Sequence, residues 1–366
     1  MTDTYLDADR SPVAAGWRKA IADNTDLLRG AAVVELPACS EGWIDSGIDL
    51  SAGETVSLLS TGAVQLAVEP DIRFFGNVSL WWRIGRDGRA TKSIGETTTF
   101  TASTSGRLFL IAKHPGEWAN EKGDFDPGWP RAGASGGFSV AVLAWRDGAA
   151  AGLAQFSADD GSRVATAEAA RLNANKMLPR GWRPLWRVGD TAIFCEEADA
   201  STPAHIACRC RFDAGILQYP VDVALDPTTR LAWSWRVTNL PSALAENSVP
   251  THDYLSIAVE FENGLDLTYA WSASLPVGTA FACPLPWWDK RETHMIVRSG
   301  TTDLGRWLEE ERPVAEDYAR AIGGPLPSRI VGVWLIALSC FQRGYGACDY
   351  AKIELRGDRG EVFIGP

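Results

Sequence analysis

Only four histidines occur in this chain of 366 residues, so the position of each is informative. His294 lies in the run RETHMIVRSG, where strand alternation puts it on one face with Glu292, Ile296 and Arg298. An imidazole between a carboxylate and a guanidinium has a tunable pKa and could serve as a general acid or base. A structural hydrogen bond to a neighbouring strand would use the same residues. His252 opens the run HDYLSIAVEFENG, which also carries Asp253, Glu260 and Glu262. At strand rise His252 and Glu260 are about 26 Å apart and cannot serve one reaction centre, whereas Glu260 and Glu262 are about 7 Å apart on one face. That spacing falls within the carboxylate separations of glycosidases, although solvated or arginine-paired glutamates give the same pattern. The candidate acid–base set is therefore His252, His294, Glu260, Glu262, Asp253 and the phenol of Tyr269.

Sixteen tryptophans are the compositional anomaly. Some must be core, since indole is bulky and largely buried on average; others could be flat platforms for sugar rings or aromatic ligands. The candidate ligand-binding set is Trp233, Trp235, Tyr254, Trp271, Trp287, Trp288 and Arg298. Seven cysteines include no C-x-x-C pair, and Cys208-x-Cys210 would need two more convergent ligands to hold zinc. No metal site and no cofactor are expected. The chain lacks a P-loop, a dinucleotide-binding glycine fingerprint, an H-E-x-x-H helix and a G-x-S-x-G elbow.

These side chains must be positioned by strands. In Tyr254 to Phe261, Leu255, Ile257, Val259 and Phe261 point one way, while Tyr254, Ser256, Ala258 and Glu260 point the other. Glu262-Asn263-Gly264 supplies turn chemistry for a hairpin to Leu267, Tyr269 and Trp271. One apolar face and one polar face are expected, the polar one forming the ligand site of a jelly roll. Short strands from Val33 to Trp145, punctuated by glycine, predict a β-sandwich. Separate strands are expected on either side of a turn at Thr61-Gly62. Residues 11–30 read as a helix, with Trp17, Ile21, Leu27 and Leu28 along one side. Gly148 to Gly152 reads as a hinge, Asp160 to Ala174 as a weak helix, and Val314 to Ile322 as a helix stopped by Gly323-Gly324-Pro325.

The expected fold class is all-β: two antiparallel β-sandwich or jelly-roll domains with a short N-terminal helix. Its parts are an N-terminal helical segment (1–32), a first sandwich (33–147), a linker with a short helix (148–181) and a second sandwich (182–366). A net charge of −11 with no basic run excludes a phosphate-backbone binder, so nucleic acid is not an expected partner. No run approaches eighteen apolar residues and no secretory leader opens the chain, so neither a membrane span nor export is expected and the compartment reads as cytoplasmic.

Two resemblances add to this reading. Over residues 35–147 the ordered pattern of S-T-G, R-I-G, G-x-L-F-L and a final G-x-F-S-V resembles the calcium-dependent galactose-binding bacterial lectin family. The family carries calcium and sugar ligands in the loop before the last strand. Here that loop, KHPGEWANEKGDFDPGWPRAGASGGFSV, is longer and lacks the Asn-Asn run. Asp124 and Asp126 could ligate a cation, yet the expectation is a retained fold without the calcium site. From Trp182 to Leu355 the series W-x-W-x-V (Trp233, Trp235, Val237), D-Y (Asp253, Tyr254), Y-x-W-S (Tyr269, Trp271, Ser272), H-x-I-V-R-S-G (His294, Arg298) and D-Y (Asp317, Tyr318) resembles a bacterial β-sandwich family of unknown function. That resemblance implies a fold and no activity.

The main functional expectation is a cofactor-independent acid–base enzyme, of lyase, hydratase, cyclase or hydrolase type, acting on a small partly apolar or glycosidic ligand in a Trp-rich pocket. The alternative is a non-catalytic carbohydrate-binding, lectin-like protein. Coplanar exposed tryptophans would favour the second; a closed site with perturbed imidazoles or carboxylates would favour the first.

Overall fold

The computed structural model describes residues 10–128, 134–159, 164–174, 176–198, 204–358 and 360–365. It divides into two compact units, Met1–Lys176 and Met177–Pro366. The chain is all-β with a few helices, as the alternation predicts. Among the described residues, no helix is long and apolar enough to cross a membrane.

In the first unit, strands Leu28–Pro37, Ser135–Trp145, Thr55–Ala67 and Ile72–Phe74 form one sheet in that order, with Thr97–Thr101 also pairing with Thr55–Ala67. Strands Ile44–Leu50, Gly106–Ala112, Leu80–Ile84 and Thr91–Lys92 form the second. Period-two alternation splits the central strands between two cores. Leu58, Val140 and Val142 face the opposite sheet, while Leu59, Ala141 and Leu143 face helices that contribute Trp17, Leu153 and Phe156. The N-terminal helix ends at Asp23, so Leu28 belongs to a strand, contrary to the longer helix expected. Thr61-Gly62 makes no turn either. The strand runs through it, with Gly62 at φ 109° opposite Phe138, where an added Cβ would lie 2.3 Å from the Gly137 carbonyl oxygen.

Gly148 to Gly152 is not a free hinge: a helix covers Ala149–Asp159. Its alanines favour helix, and Gly152 packs against the Trp145 indole so closely that a Cβ would come 2.3 Å from the ring. The helix read over 160–174 is described from Val164 to Ala174; its expected start lies outside the described residues.

The second unit is a sandwich. One sheet has the order Arg183–Pro184, Ala214–Ala224, Arg329–Leu338, Tyr254–Phe261, Asp266–Ser272, Glu292–Ser299 and Ala280–Ala282. The other runs Phe194–Glu197, His205–Arg211, Tyr345–Gly357, Arg230–Asn239 and Leu308–Pro313, with Gly360–Gly365 added on Tyr345–Gly357. The 254–261 and 266–272 strands make the expected antiparallel hairpin. Asp266–Ser272 and Glu292–Ser299, however, pair in parallel, so the sheet is mixed. Between the sheets lie Leu255, Ile257, Val259, Phe261, Leu267, Tyr269 and Trp271. Helix Val314–Ala321 ends where Gly323 takes φ 77° and donates its N–H to the Tyr318 carbonyl.

Candidate functional site

The outward row of the mixed sheet is where sequence and structure differ most. Tyr254, Ser256 and Ala258 are fully covered, as are Asp266, Thr268, Ala270, Glu292 and His294. The expected open polar face is therefore a second buried layer, with the half-buried Phe281 stacked on His294 at 5.0 Å. Register builds its polar heart. Asp266 sits beside Glu292, and Thr268 beside His294, which in turn faces Phe281 across the antiparallel edge.

In that heart the Tyr254 hydroxyl donates to Glu292 Oε1 at 3.1 Å, and the Thr268 hydroxyl lies 3.3 Å from the same oxygen and 3.1 Å from Asp266 Oδ1. Burial raises the pKa of Glu292 and, more strongly, of Asp266, where the Glu292 charge adds to the effect. His252 sits edge-on to His294, with centroids 5.3 Å apart. Its Nδ1 lies 3.0 Å from the Glu246 carbonyl, so Nδ1 carries the proton and Nε2 offers a lone pair 3.6 Å from the Cys283 sulfur. Burial drops the His252 pKa to about 4 and that of His294 well below the usual range, and it raises the Cys283 thiol. Both imidazoles are neutral at pH 7. Both ring nitrogens of His294 lack a hydrogen-bond partner. Donor atoms of Cys283, Glu292 and His294 lie within 4.8 Å of one another, a spacing that could hold a cation.

At the Glu260 end of the same sheet a polar and aromatic strip reaches the surface. An Arg183 guanidinium nitrogen lies 3.4 Å from the Gln218 amide oxygen, Gln218 donates to Glu260 Oε2 at 2.8 Å, and Arg291 lies 3.8 Å from Glu260 Oε1. Beside them Trp287 is half-buried, with the Arg187 guanidinium 3.8 Å and that of Arg291 4.8 Å from its ring centroid. Trp287 has φ 72°, a left-handed conformation that bulky side chains avoid. Gly332 leaves room for this cluster: a Cβ there would come 3.1 Å from Glu260 Oε2 and 3.3 Å from the Trp334 indole nitrogen.

The acid–base set is thus divided. His252 and His294 are brought together, but Glu260 belongs to the surface strip and Glu262 is exposed, accepting hydrogen bonds from Ser328. Asp253 accepts the N–H groups of Phe341 and Gln342, and burial lifts its pKa to about 6. Tyr269 is in the intersheet core, stacked on Trp233. The ligand-binding set is divided too. Trp233, Trp235 and Trp271 are core residues, and Trp288 is buried under Trp287. Arg298 leaves His294 because the register shifts between Ala270 and Trp271; its Nε donates to Glu310 at 2.6 Å. Tyr254 joins the buried layer and Trp287 the strip.

Cys283, Asp266, Thr268, Gln218, Arg187 and Arg291 went unselected on sequence. Parity along 266–272 and 292–299 would have found Asp266 and Thr268 once the parallel register was known. Cys208 and Cys210 are both buried free thiols, the Cys210 sulfur 3.2 Å from the Asp213 carbonyl and the Ser339 hydroxyl. In the first unit, Asp124 bonds Asn120 and Asp126 accepts the Gly128 N–H; residues 129–133 of that loop lie outside the described residues.

Residues 196–354 match the family model described as a protein of unknown function, DUF3047, which spans less than half of the chain. No curated protein matches. Among solved structures the chain is similar to the EclA N-terminal domain, a PllA-like lectin, at 18% identity over 32% of this chain and 98% of that one, with a TM-score of 0.24. It is also similar to the xyloglucanase domain of NopAA from Sinorhizobium fredii in complex with cellobiose (8% identity, 50% and 97% covered, TM-score 0.31). A family 30 carbohydrate-binding module from Clostridium thermocellum follows at 9% identity, with 50% and 96% covered and a TM-score of 0.29. Such low scores carry no functional information.

Proposed function

We propose that the chain is a non-catalytic carbohydrate-binding protein and that its second unit engages sugar at the strip formed by Trp287, Arg187, Arg291, Glu260, Gln218 and Arg183. The observation that carries this reading is Trp287, held at φ 72° with its indole at the surface. Backbone strain on a bulky residue costs on the order of 1–3 kcal/mol and is characteristic of functional positions. An indole face suits the apolar face of a pyranose, while planar guanidinium, amide and carboxylate groups suit its hydroxyls. Arg291, the looser of the two cations over the ring, is the group a sugar ring would displace.

The test is affinity electrophoresis of the full chain through gels containing soluble plant and bacterial polysaccharides. Retardation by at least one polysaccharide, lost in Trp287→Ala and Glu260→Ala and kept in Trp307→Ala, is the expected result; no retardation on any of them overturns the reading. Acid–base catalysis on a small ligand is the second reading, favoured by the meeting of His252 and His294. It ranks second because both imidazoles are fully buried.

A further inference from the structure

We propose that Cys283, His294 and Glu292, with His252 beside the Cys283 sulfur, form a site for a divalent transition-metal ion of the zinc class, which fastens the 273–291 segment onto the sheet. His294 is a fully buried imidazole with neither ring nitrogen hydrogen-bonded. An orphaned buried polar group carries an uncompensated desolvation penalty and calls for a physical reason. A cation accepting its lone pair is such a reason.

Ligand bonds of 2.0–2.3 Å around a tetrahedral ion put neighbouring donors roughly 3.3–3.7 Å apart. His294 Nε2 lies 3.6 Å from Glu292 Oε1, and the donors of Cys283, Glu292 and His294 are all within 4.8 Å of one another, so small side-chain shifts seat an ion among them. His252 Nε2 lies beside this group, 3.6 Å from the Cys283 sulfur. The charges fit. One thiolate and one carboxylate neutralise a divalent ion, so the dry interior would hold no net charge.

Groups around the donors orient them as a metal site requires. The Glu246 carbonyl fixes the His252 tautomer that leaves Nε2 free, and the Tyr254 and Thr268 hydroxyls hold Glu292. A sulfur and an imidazole beside one carboxylate favour zinc over magnesium or calcium. All three donors are buried away from solvent, which suits a structural ion. The segment that it would fasten carries the short strand Ala280–Ala282 at the sheet edge.

The site is tested on the full chain. Expressed in zinc-supplemented medium, the protein is expected to carry about one zinc per chain by plasma mass spectrometry, and chelation to lower its Tm. Cys283→Ser and His294→Gln should each fall at least tenfold in bound zinc, whereas Cys39→Ser, which removes an exposed thiol in the first unit, keeps it. Should either site variant fail to fold, wild-type protein refolded with Co2+ alone decides the matter, because thiolate ligation gives a near-ultraviolet charge-transfer band. Wild-type protein that carries no transition metal and shows no such band overturns the proposal. So does zinc retained in both site variants.

Discussion

Tryptophan serves two different ends in the second unit, and single substitutions separate them. Trp235 is fully buried between the sheets, against Trp233, Trp271 and Tyr350. Trp235→Ala should therefore destabilise by about 3–5 kcal/mol, the usual cost of emptying a large aromatic site, as read from urea unfolding. Trp287→Ala should cost less than about 1 kcal/mol, because the indole is partly solvated and alanine, which keeps the Cβ, leaves the left-handed strain as it was. On the proposed function that same variant loses polysaccharide retardation, so stability and binding part company at this residue. Alternation showed that Trp233 and Trp235 share a face and that His294 goes with Glu292. It could not show which face is covered: a period of two sorts side chains into rows but is silent on what packs over each row. Tyr254 and Ser256 look like surface residues in the sequence and are core residues in the fold.

At the scale of elements, the readable features were those with local causes. The hairpin at Glu262-Asn263-Gly264 and the helix stopped by Gly323-Gly324-Pro325 each depend on residues that are neighbours in sequence. The parallel pairing of 266–272 with 292–299 depends on a long connection and leaves no local signature. It nevertheless creates the buried layer, by setting Asp266 beside Glu292 and Thr268 beside His294. The helix also shows how a short element is anchored. Asp317, buried in its first turn, accepts two hydrogen bonds from Arg312 and a third from Arg320. Asp317→Ala strands the partly exposed Arg312 guanidinium and removes a helix-starting carboxylate. We expect a loss of about 2 kcal/mol, below the usual cost of a fully buried pair because solvent screens the arginines. Chemical denaturation of the variant at neutral pH checks this, and a loss below about 0.5 kcal/mol would mean that the helix docks by its apolar face alone.

On the scale of the whole chain, each unit has its own buried core. The first is divided between sheet–sheet and sheet–helix layers; the second has a continuous intersheet cluster that includes Trp233, Trp235, Tyr269, Trp271 and Tyr350 from both its sheets. Each unit exceeds the size at which a single core sustains independent folding. The helices at 149–159 and 164–174 lie within the first unit, and Leu153, Phe156 and Ala165 join its core. A fragment spanning residues 177–366 should therefore unfold as one cooperative step, as a self-contained domain does. It should also have the dispersed amide spectrum of a folded β-protein. Because the strip around Trp287 and the donors around His294 lie wholly within that fragment, polysaccharide retardation and zinc content should match those of the full chain. A fragment that folds but loses both would show that the first unit shapes these sites. One that unfolds without cooperativity would show that the core of the second unit depends on its neighbour.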